Sequence, residues 1–310
     1  MAQTIDPQAV NPQTYDRQPS ASDVSRLEAR WERLTFADNY VFGEVLESNL
    51  DVCRHLLEVV LEIPIDHVEL ATTERAFQPA AESRSVRLDV YAKDDLGRSF
   101  DVEMQQTNSA DLVKRARYYQ AAMDTAKLGK GCDYGSLTES YVIFFCTFDP
   151  FGRGLRRYTY RMACAEDGRP EPWNGIEHVY LNAKGTAGQV NDDLKAVLDY
   201  LAGDNIPSEG LVREIEDAVD AVLTSPERRR GYVTFEWELE QARREGEAKG
   251  RAEGRAEGRA EGRAQGEAQS YDRLSRLMKE LTTRGRQQEL ASALADPSVR
   301  ERLFREFGIE

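Results

Sequence analysis

Val86-Arg87-Leu88-Asp89-Val90-Tyr91-Ala92, followed after six residues by Ser99-Phe100-Asp101-Val102-Glu103-Met104-Gln105, is the stretch that decides the fold. Both runs alternate. Val86, Leu88, Val90 and Ala92 point one way in an extended chain, and Arg87, Asp89 and Tyr91 point the other. In the second run Phe100, Val102 and Met104 share a side, opposite Asp101, Glu103 and Gln105. The link 93–98 contains Asp95-Leu96-Gly97, which is hairpin turn chemistry. Pairing the two runs as a hairpin brings Asp89 near Glu103 on a common polar face. Two carboxylates that close repel unless a cation lies between them. Mg2+ suits such a pair, because it is held by one or two carboxylates together with waters and substrate phosphate oxygens. A metal there lowers the pKa of a bound water and neutralises charge developing on phosphorus. Gln105 projects the same way and can orient water, but an amide is no base near neutral pH. The plain alternative for the same residues is a solvated sheet face with its charges outside.

Outward from the hairpin the pattern is mixed α and β. Residues 38–63 carry Val41, Val45, Leu46, Leu50, Cys53, Leu56, Leu57, Val60 and Leu61 at helical spacing and stop before Pro64, which predicts one long helix. A weak strand is expected at 67–73, ahead of strands at 85–92 and 99–105. Residues 109–128 predict a second helix with a stripe of Leu112, Ala116, Tyr119 and Met123, stopped by Gly129 and Gly131. The apolar run SYVIFFCTF at 140–148 predicts a fully buried strand. Two further strands are expected at 157–163 and 177–181, and helices at 191–205, at 208–223 and after Pro226. The order is α-β-β-β-α-β with β additions, an α/β class fold with a mixed sheet flanked by helices and a helical C-terminal extension.

A repeat follows. Gly246, Gly250, Gly254, Gly258, Gly262 and Gly266 recur every four residues in units of the type Ala-Glu-Gly-Arg. In its regular part Arg and Glu are two or six positions apart, so like charges fall at i, i+4. Each glycine costs a helix about 1 kcal/mol relative to alanine. The repeat is therefore either a solvated spacer or a helix that a partner supports. Residues 271–308 close the chain with apolar stripes of Leu274, Leu277, Met278 and Leu281, and of Leu290, Leu294, Leu303 and Phe304, a small interaction module.

Composition narrows the chemistry. Of 310 residues only His55, His67 and His178 are histidines, so a histidine triad or a histidine-rich metal site is not expected. Cys53, Cys132, Cys146 and Cys164 form no CxxC pair, which argues against structural zinc. The N-terminal residues lack a basic start and an apolar core, so they do not read as a signal peptide. With no apolar run long enough to cross a bilayer and four free thiols, a cytoplasmic protein without a membrane partner is expected. The formal charge of −14 repels phosphate globally, so any nucleic-acid contact must rest on a local basic strip.

Val86-Arg87-Leu88-Asp89-Val90, Val102-Glu103-Met104-Gln105 and Arg115-Ala116-Arg117-Tyr118-Tyr119-Gln120, followed by Gly131-Cys132-Asp133-Tyr134 and the strand ending Phe148-Asp149, resemble the PD-(D/E)XK nuclease family of transposases, also called recombination-promoting (Rpn) nucleases. The likeness continues weakly through the later helices to the repeat and the short helical end. It implies a restriction-endonuclease-like core and metal-dependent DNA cleavage, in recombination or transposition, with Asp89, Glu103 and Gln105 catalytic. Asp89 and Glu103 would ligate Mg2+ or Mn2+. Gln105 stands where the superfamily has lysine, which leaves the group that activates water unassigned. Glu47 is a further candidate ligand, since in related folds a helix carboxylate joins the metal shell; an exposed helix charge is its plain reading. Lys114, Arg115 and Arg117 are candidate phosphate-binding residues, with a solvated face or a pair with Asp111 as the alternative. Arg153, Arg156, Arg157 and Arg161 could extend a basic strip. The resulting division is a disordered tail at 1–30, a PD-(D/E)XK-like nuclease core at 31–190, a helical extension at 191–244, the repeat spacer at 245–268 and a helical module at 269–310, with DNA as partner and a homodimer formed through the C-terminal helices. The competing function is a catalytically inactive nuclease fold that regulates or oligomerises.

Overall fold

The computed structural model describes residues 18–71, 89–128, 131–170 and 175–309. They form two compact units, one ending at Glu236 and one beginning at Trp237.

The first unit is built on a six-stranded mixed sheet of β1 (Val68–Leu70), β2 (Val90–Asp94), β3 (Ser99–Gln105), β4 (Ser140–Cys146), β5 (Arg157–Tyr160) and β6 (Ile176–Asn182), in the order β1-β2-β3-β4-β6-β5. β1, β2 and β3 are antiparallel neighbours, β3, β4 and β6 run parallel, and β5 returns antiparallel on the edge. The helices of this unit are α1 (Ala21–Trp31), α2 (Asn39–Ser48), α3 (Leu50–Leu61), α4 (Leu112–Lys127), α5 (Asp192–Ala202), α6 (Gly210–Leu223) and the first turns of α7 (Pro226–Thr283). This is the α/β, restriction-endonuclease-like arrangement expected.

The register of the β2–β3 hairpin is fixed by its turn. Asp95, Leu96 and Gly97 form a three-residue loop with Gly97 at φ +74°, the left-handed position such loops require. Asp94 Oδ1 accepts from the Leu96 and Arg98 amides at 3.1 and 2.8 Å, and the Asp94 carboxylate pairs with the Arg98 side chain. Lys93 thereby faces Ser99 and Val90 faces Val102. A slip of one residue would send every side chain of β2 to the wrong face.

The two sheet faces differ. Val90, Ala92, Phe100, Val102, Met104, Ile143 and Phe145 make an apolar face, and Phe42 of α2 meets Phe145 there, ring centroids 5.6 Å apart. On the other face α4 packs Leu112, Ala116 and Met123 against Tyr91, Val142, Phe144, Cys146 and Tyr180. Both faces are covered, so β3 and β4 are buried along their whole length.

Three expectations change. The long helix at 38–63 is two helices, because Asn49 leaves helical geometry (φ −132°, ψ 85°) and its side chain accepts from the Val52 amide to start α3. Asparagine favours that capping role over a helix interior. Residues 21–30 of the expected tail are helical: Ser20 and Asp23 form a reciprocal capping box, a sequence signal of helix start, and α1 buries Leu27 and Trp31. Trp31 lies 5.4 Å from Tyr232 of α7, and its indole N–H donates to the Leu223 carbonyl at 3.1 Å. Strands β1 and β5 are also shorter than expected. Residues 1–17, 72–73, 85–88 and Gly129, on which parts of the expected tail, strands and helix stop fall, lie outside the described residues.

In the second unit the remainder of α7 is continuously helical through the repeat, and every residue of the repeat is exposed. Opposite-charge i, i+4 pairs occur where the period is broken, Arg251–Glu247 at 3.7 Å and Lys249–Glu253 at 3.9 Å. Beyond it, α7 is joined by α8 (Gln288–Ala295) and α9 (Pro297–Phe307) around Leu277, Leu281, Ala293, Leu303 and Phe304. Ala293 is the buried residue of α8, while Leu294 and Met278, expected inside, are exposed. Arg286 clamps this unit by pairing with Glu289 and Glu306.

The two kinds of glycine predict opposite responses to alanine. Gly97→Ala forces a side chain into positive φ and should destabilise the first unit by about 1 kcal/mol or more in chemical denaturation. Gly258→Ala meets nothing within 4 Å and should slow amide hydrogen exchange across the repeat, by up to about 1 kcal/mol of added helix stability. Equal or reversed signs would contradict this assignment of the two positions.

Candidate active site

Asp89 stands one residue before β2, and the hairpin register sets it opposite Glu103. The two are laced together. The Asp89 amide donates to Glu103 Oε1 at 3.0 Å, and the Met104 amide donates to Asp89 Oδ2 at 3.2 Å. Each carboxylate is thus oriented by a main-chain N–H belonging to the opposite run.

The polar face of β3 is not solvated. Glu103 is 1% exposed, Gln105 8% and Asp101 0%, because α4 lies over them. A fully buried carboxylate needs a partner, and α4 provides one in Arg115. Its guanidinium donates to Glu103 Oε2 at 3.2 Å and to Gln105 Oε1 at 2.7 Å. It also donates twice to the Tyr119 hydroxyl, at 3.2 and 2.9 Å, and lies over the Tyr119 and Phe144 rings. Burial and the nearby Glu103 push the Tyr119 phenol up to about 12, so it stays protonated while accepting these bonds. Partial burial opposes the Arg115 charge, but Tyr119, Glu103 and Asp89 outweigh it and raise its pKa.

Asp101 is a site residue that sequence reasoning left out. It shares the face of Glu103 and Gln105, facing Tyr91 across the hairpin, and neither carboxyl oxygen has a hydrogen-bond partner among the described residues. Burial, then the Asp89 charge, hold its carboxyl well above the ordinary range, against the pull of Arg115. Glu103 is raised as well, by burial first and then by Asp101 and Asp89, against the Asp89 amide and Arg115. The alternation that singled out Glu103 and Gln105 contained Asp101; its total burial was the hidden fact.

The other expected residues are distributed differently. Lys114 and Arg117 are exposed on α4, whereas Arg115 turns inward with 30% of its side chain exposed, so the three do not form one phosphate-facing row. Tyr118 is exposed. Glu47 is an exposed residue of α2, one turn beyond Gly43, whose added Cβ would lie 3.9 Å from the Asp89 carbonyl oxygen. Of the arginines expected to extend a basic strip, Arg156, Arg157 and Arg161 pair with Asp199, Glu62 and Glu177, and Arg153 lies over the Phe151 and Tyr158 rings. Cys53 and Cys146 are buried free thiols; Cys132 and Cys164 are exposed ones.

A family model described as PD-(D/E)XK nuclease family transposase matches residues 34–203. The chain belongs to this family. The matched segment begins ahead of α2, ends just after α5 and contains Asp89, Asp101, Glu103, Gln105 and Arg115; the repeat and the helical end lie beyond it. No curated protein and no solved structure gives a match. No helix among the described residues is long and apolar enough to cross a membrane.

Members of a nuclease family of this kind typically use divalent metal ions. Among the described residues no group of three or more His, Cys, Asp and Glu is arranged to hold a metal. What the site supplies is an oriented Asp89–Glu103 pair and, in Asp101, a buried carboxyl whose two oxygens have no hydrogen-bond partner among the described residues. That donor set is all oxygen and matches an ion that completes its shell with water and phosphate.

The raised carboxyls give a pH prediction with a definite sign. Folding favours the protonated form of a group whose pKa it raises, so this stability is present at low pH and is lost as pH rises from about 4 through the raised range. In metal-free buffer Asp101→Asn should match the wild type near pH 4 and exceed its Tm by a few degrees at pH 8. An Asn variant less stable than wild type at pH 8 would contradict the burial of an uncompensated Asp101.

Proposed function

We propose that this chain is a divalent-metal-dependent DNA endonuclease that hydrolyses phosphodiester bonds, acting in recombination or transposition. The observation that carries this reading is the Asp89–Glu103 pair, locked in register inside the family-matched segment, with Glu103 buried. Asp89 and Glu103 would hold Mg2+ or Mn2+, with Glu47 as a further ligand candidate. When bound, such an ion acidifies water and neutralises charge at phosphorus.

The chain's own groups then have distinct tasks. The Asp89 and Met104 amides fix the carboxylates, so their oxygens need no reorganisation on binding. Gln105 has its carbonyl oxygen committed to Arg115, which leaves its NH2 group to orient the attacking water by donating to it. Lys114 and Arg117, exposed on α4, are the side chains we assign to phosphate, and they give an acidic protein a local positive contact. Arg115 is assigned to Glu103 instead. The C-terminal helices are assigned to homodimerisation, which would set two such sites against two strands. We place the protein in the cytoplasm, where its four free thiols stay reduced.

One observation favours a second reading. Arg115 already pairs with Glu103, so a side chain occupies the place of a metal and the face could serve as a regulatory or oligomerising module. Supercoiled plasmid separates the two. The endonuclease reading expects nicking that depends on Mg2+ or Mn2+ and falls by roughly 100-fold or more in Asp89→Ala and Glu103→Gln. Absence of nicking, together with absence of calorimetric Mg2+ or Mn2+ binding, would favour the module.

A further inference from the structure

The cation already present beside the two carboxylates is a protein side chain. We infer that Arg115 is a resident counter-cation that competes with a divalent ion for Glu103, so that binding of the ion displaces the guanidinium from Glu103 Oε2. The inference rests on the metal site proposed above and gives a regulatory part to Arg115, whose place between Lys114 and Arg117 had suggested a phosphate contact.

Three features support it. Glu103 has two oxygens; Oε1 is held by the Asp89 main-chain N–H and Oε2 by Arg115. The donor of the first contact is main chain, fixed by the hairpin. The donor of the second is a side chain and can leave. Next, a divalent ion on Glu103 and a guanidinium at 3.2 Å from the same carboxylate are like charges in a poorly solvated pocket, where repulsion is strong. Finally, Arg115 has somewhere to go. Its Nε and Nη2 donate to the Tyr119 hydroxyl, and its plane lies over two aromatic rings, 5.4 Å from the Tyr119 centroid and 5.7 Å from that of Phe144. These contacts persist if the Glu103 bond is lost, and 30% of the side chain already reaches solvent. A guanidinium fixed only by Glu103 would have no such alternative.

Calorimetric titration of Mn2+ into the full-length, DNA-free protein at pH 8 tests this, with metal-free and metal-loaded Tm as a second readout. Arg115→Gln keeps a polar side chain and removes the charge. It should bind Mn2+ roughly tenfold more tightly than wild type, lower the metal-free Tm, and show a larger rise in Tm on adding Mn2+. Wild-type binding with equal or weaker binding by Arg115→Gln would overturn the exchange while leaving the metal site standing. Failure of both proteins to bind would remove the metal site and the exchange with it. Binding by Arg115→Gln alone would support the exchange in its strongest form. Should Arg115→Gln not fold, the wild type still decides: the Arg115 Nη2 NMR signal, assigned by its loss in Arg115→Lys, should shift on addition of Mg2+, because Nη2 makes the bond to Glu103, and an unmoved Nη2 signal in the metal-bound protein would overturn the inference.

Discussion

A carboxylate placed almost wholly out of water, Glu103, sets the terms for everything around it. Leaving such a charge unpaired costs several kcal/mol, and the fold answers from two directions. The hairpin supplies the Asp89 amide to one oxygen, and α4 supplies the Arg115 guanidinium to the other. The first answer requires the register set by the Asp95-Leu96-Gly97 turn. The second requires α4 to cross the same face, which its packing of Leu112, Ala116 and Met123 against β4 ensures. Strand order follows the same need. β3 lies inside the sheet between β2 and β4, so its polar side chains are shielded by neighbours as well as from above.

Much of this was legible in the sequence, and the part that was not has a physical reason. Period-two alternation fixes which residues share a face, so the proximity of Asp89 and Glu103 could be read from turn and spacing alone. Alternation does not say whether a polar face is wet. That depends on α4, whose docking is a tertiary contact, and for this reason a solvated face remained open until Glu103, Gln105 and Asp101 proved buried. The same limit hid Arg115. As a charged residue between Lys114 and Arg117 it reads as one of a basic row, yet only its position, one residue before the buried Ala116 and four before Tyr119, turns it to the sheet. Local signals were missed too. Asn49 and the Ser20–Asp23 capping box are visible in the sequence, but hydrophobic periodicity alone runs through the first and stops short of the second.

The charge balance is better understood with partners in view. In a protein of net charge −14, several arginines of the first unit answer a nearby acid, as Arg98 does Asp94, Arg156 Asp199 and Arg228 Glu44. Lys114 and Arg117 are exposed on α4, the helix that covers the acidic face. The arrangement separates two placements that the sequence ran together: Arg115 paired in the interior, and Lys114 and Arg117 on the surface. In the second unit the repeat is exposed throughout, with its ion pairs at the irregular start, and the clamp of Arg286 on Glu289 and Glu306 organises the helical end.

The central claim is that Asp89 and Glu103 together hold a divalent ion. Anomalous diffraction from crystals of metal-free protein soaked in Mn2+ addresses it without reference to any activity. The account predicts a manganese peak bonded to oxygens of both side chains, with water completing the shell. Manganese bound elsewhere, or no peak while Arg115 stays on Glu103 at saturating Mn2+, would contradict it.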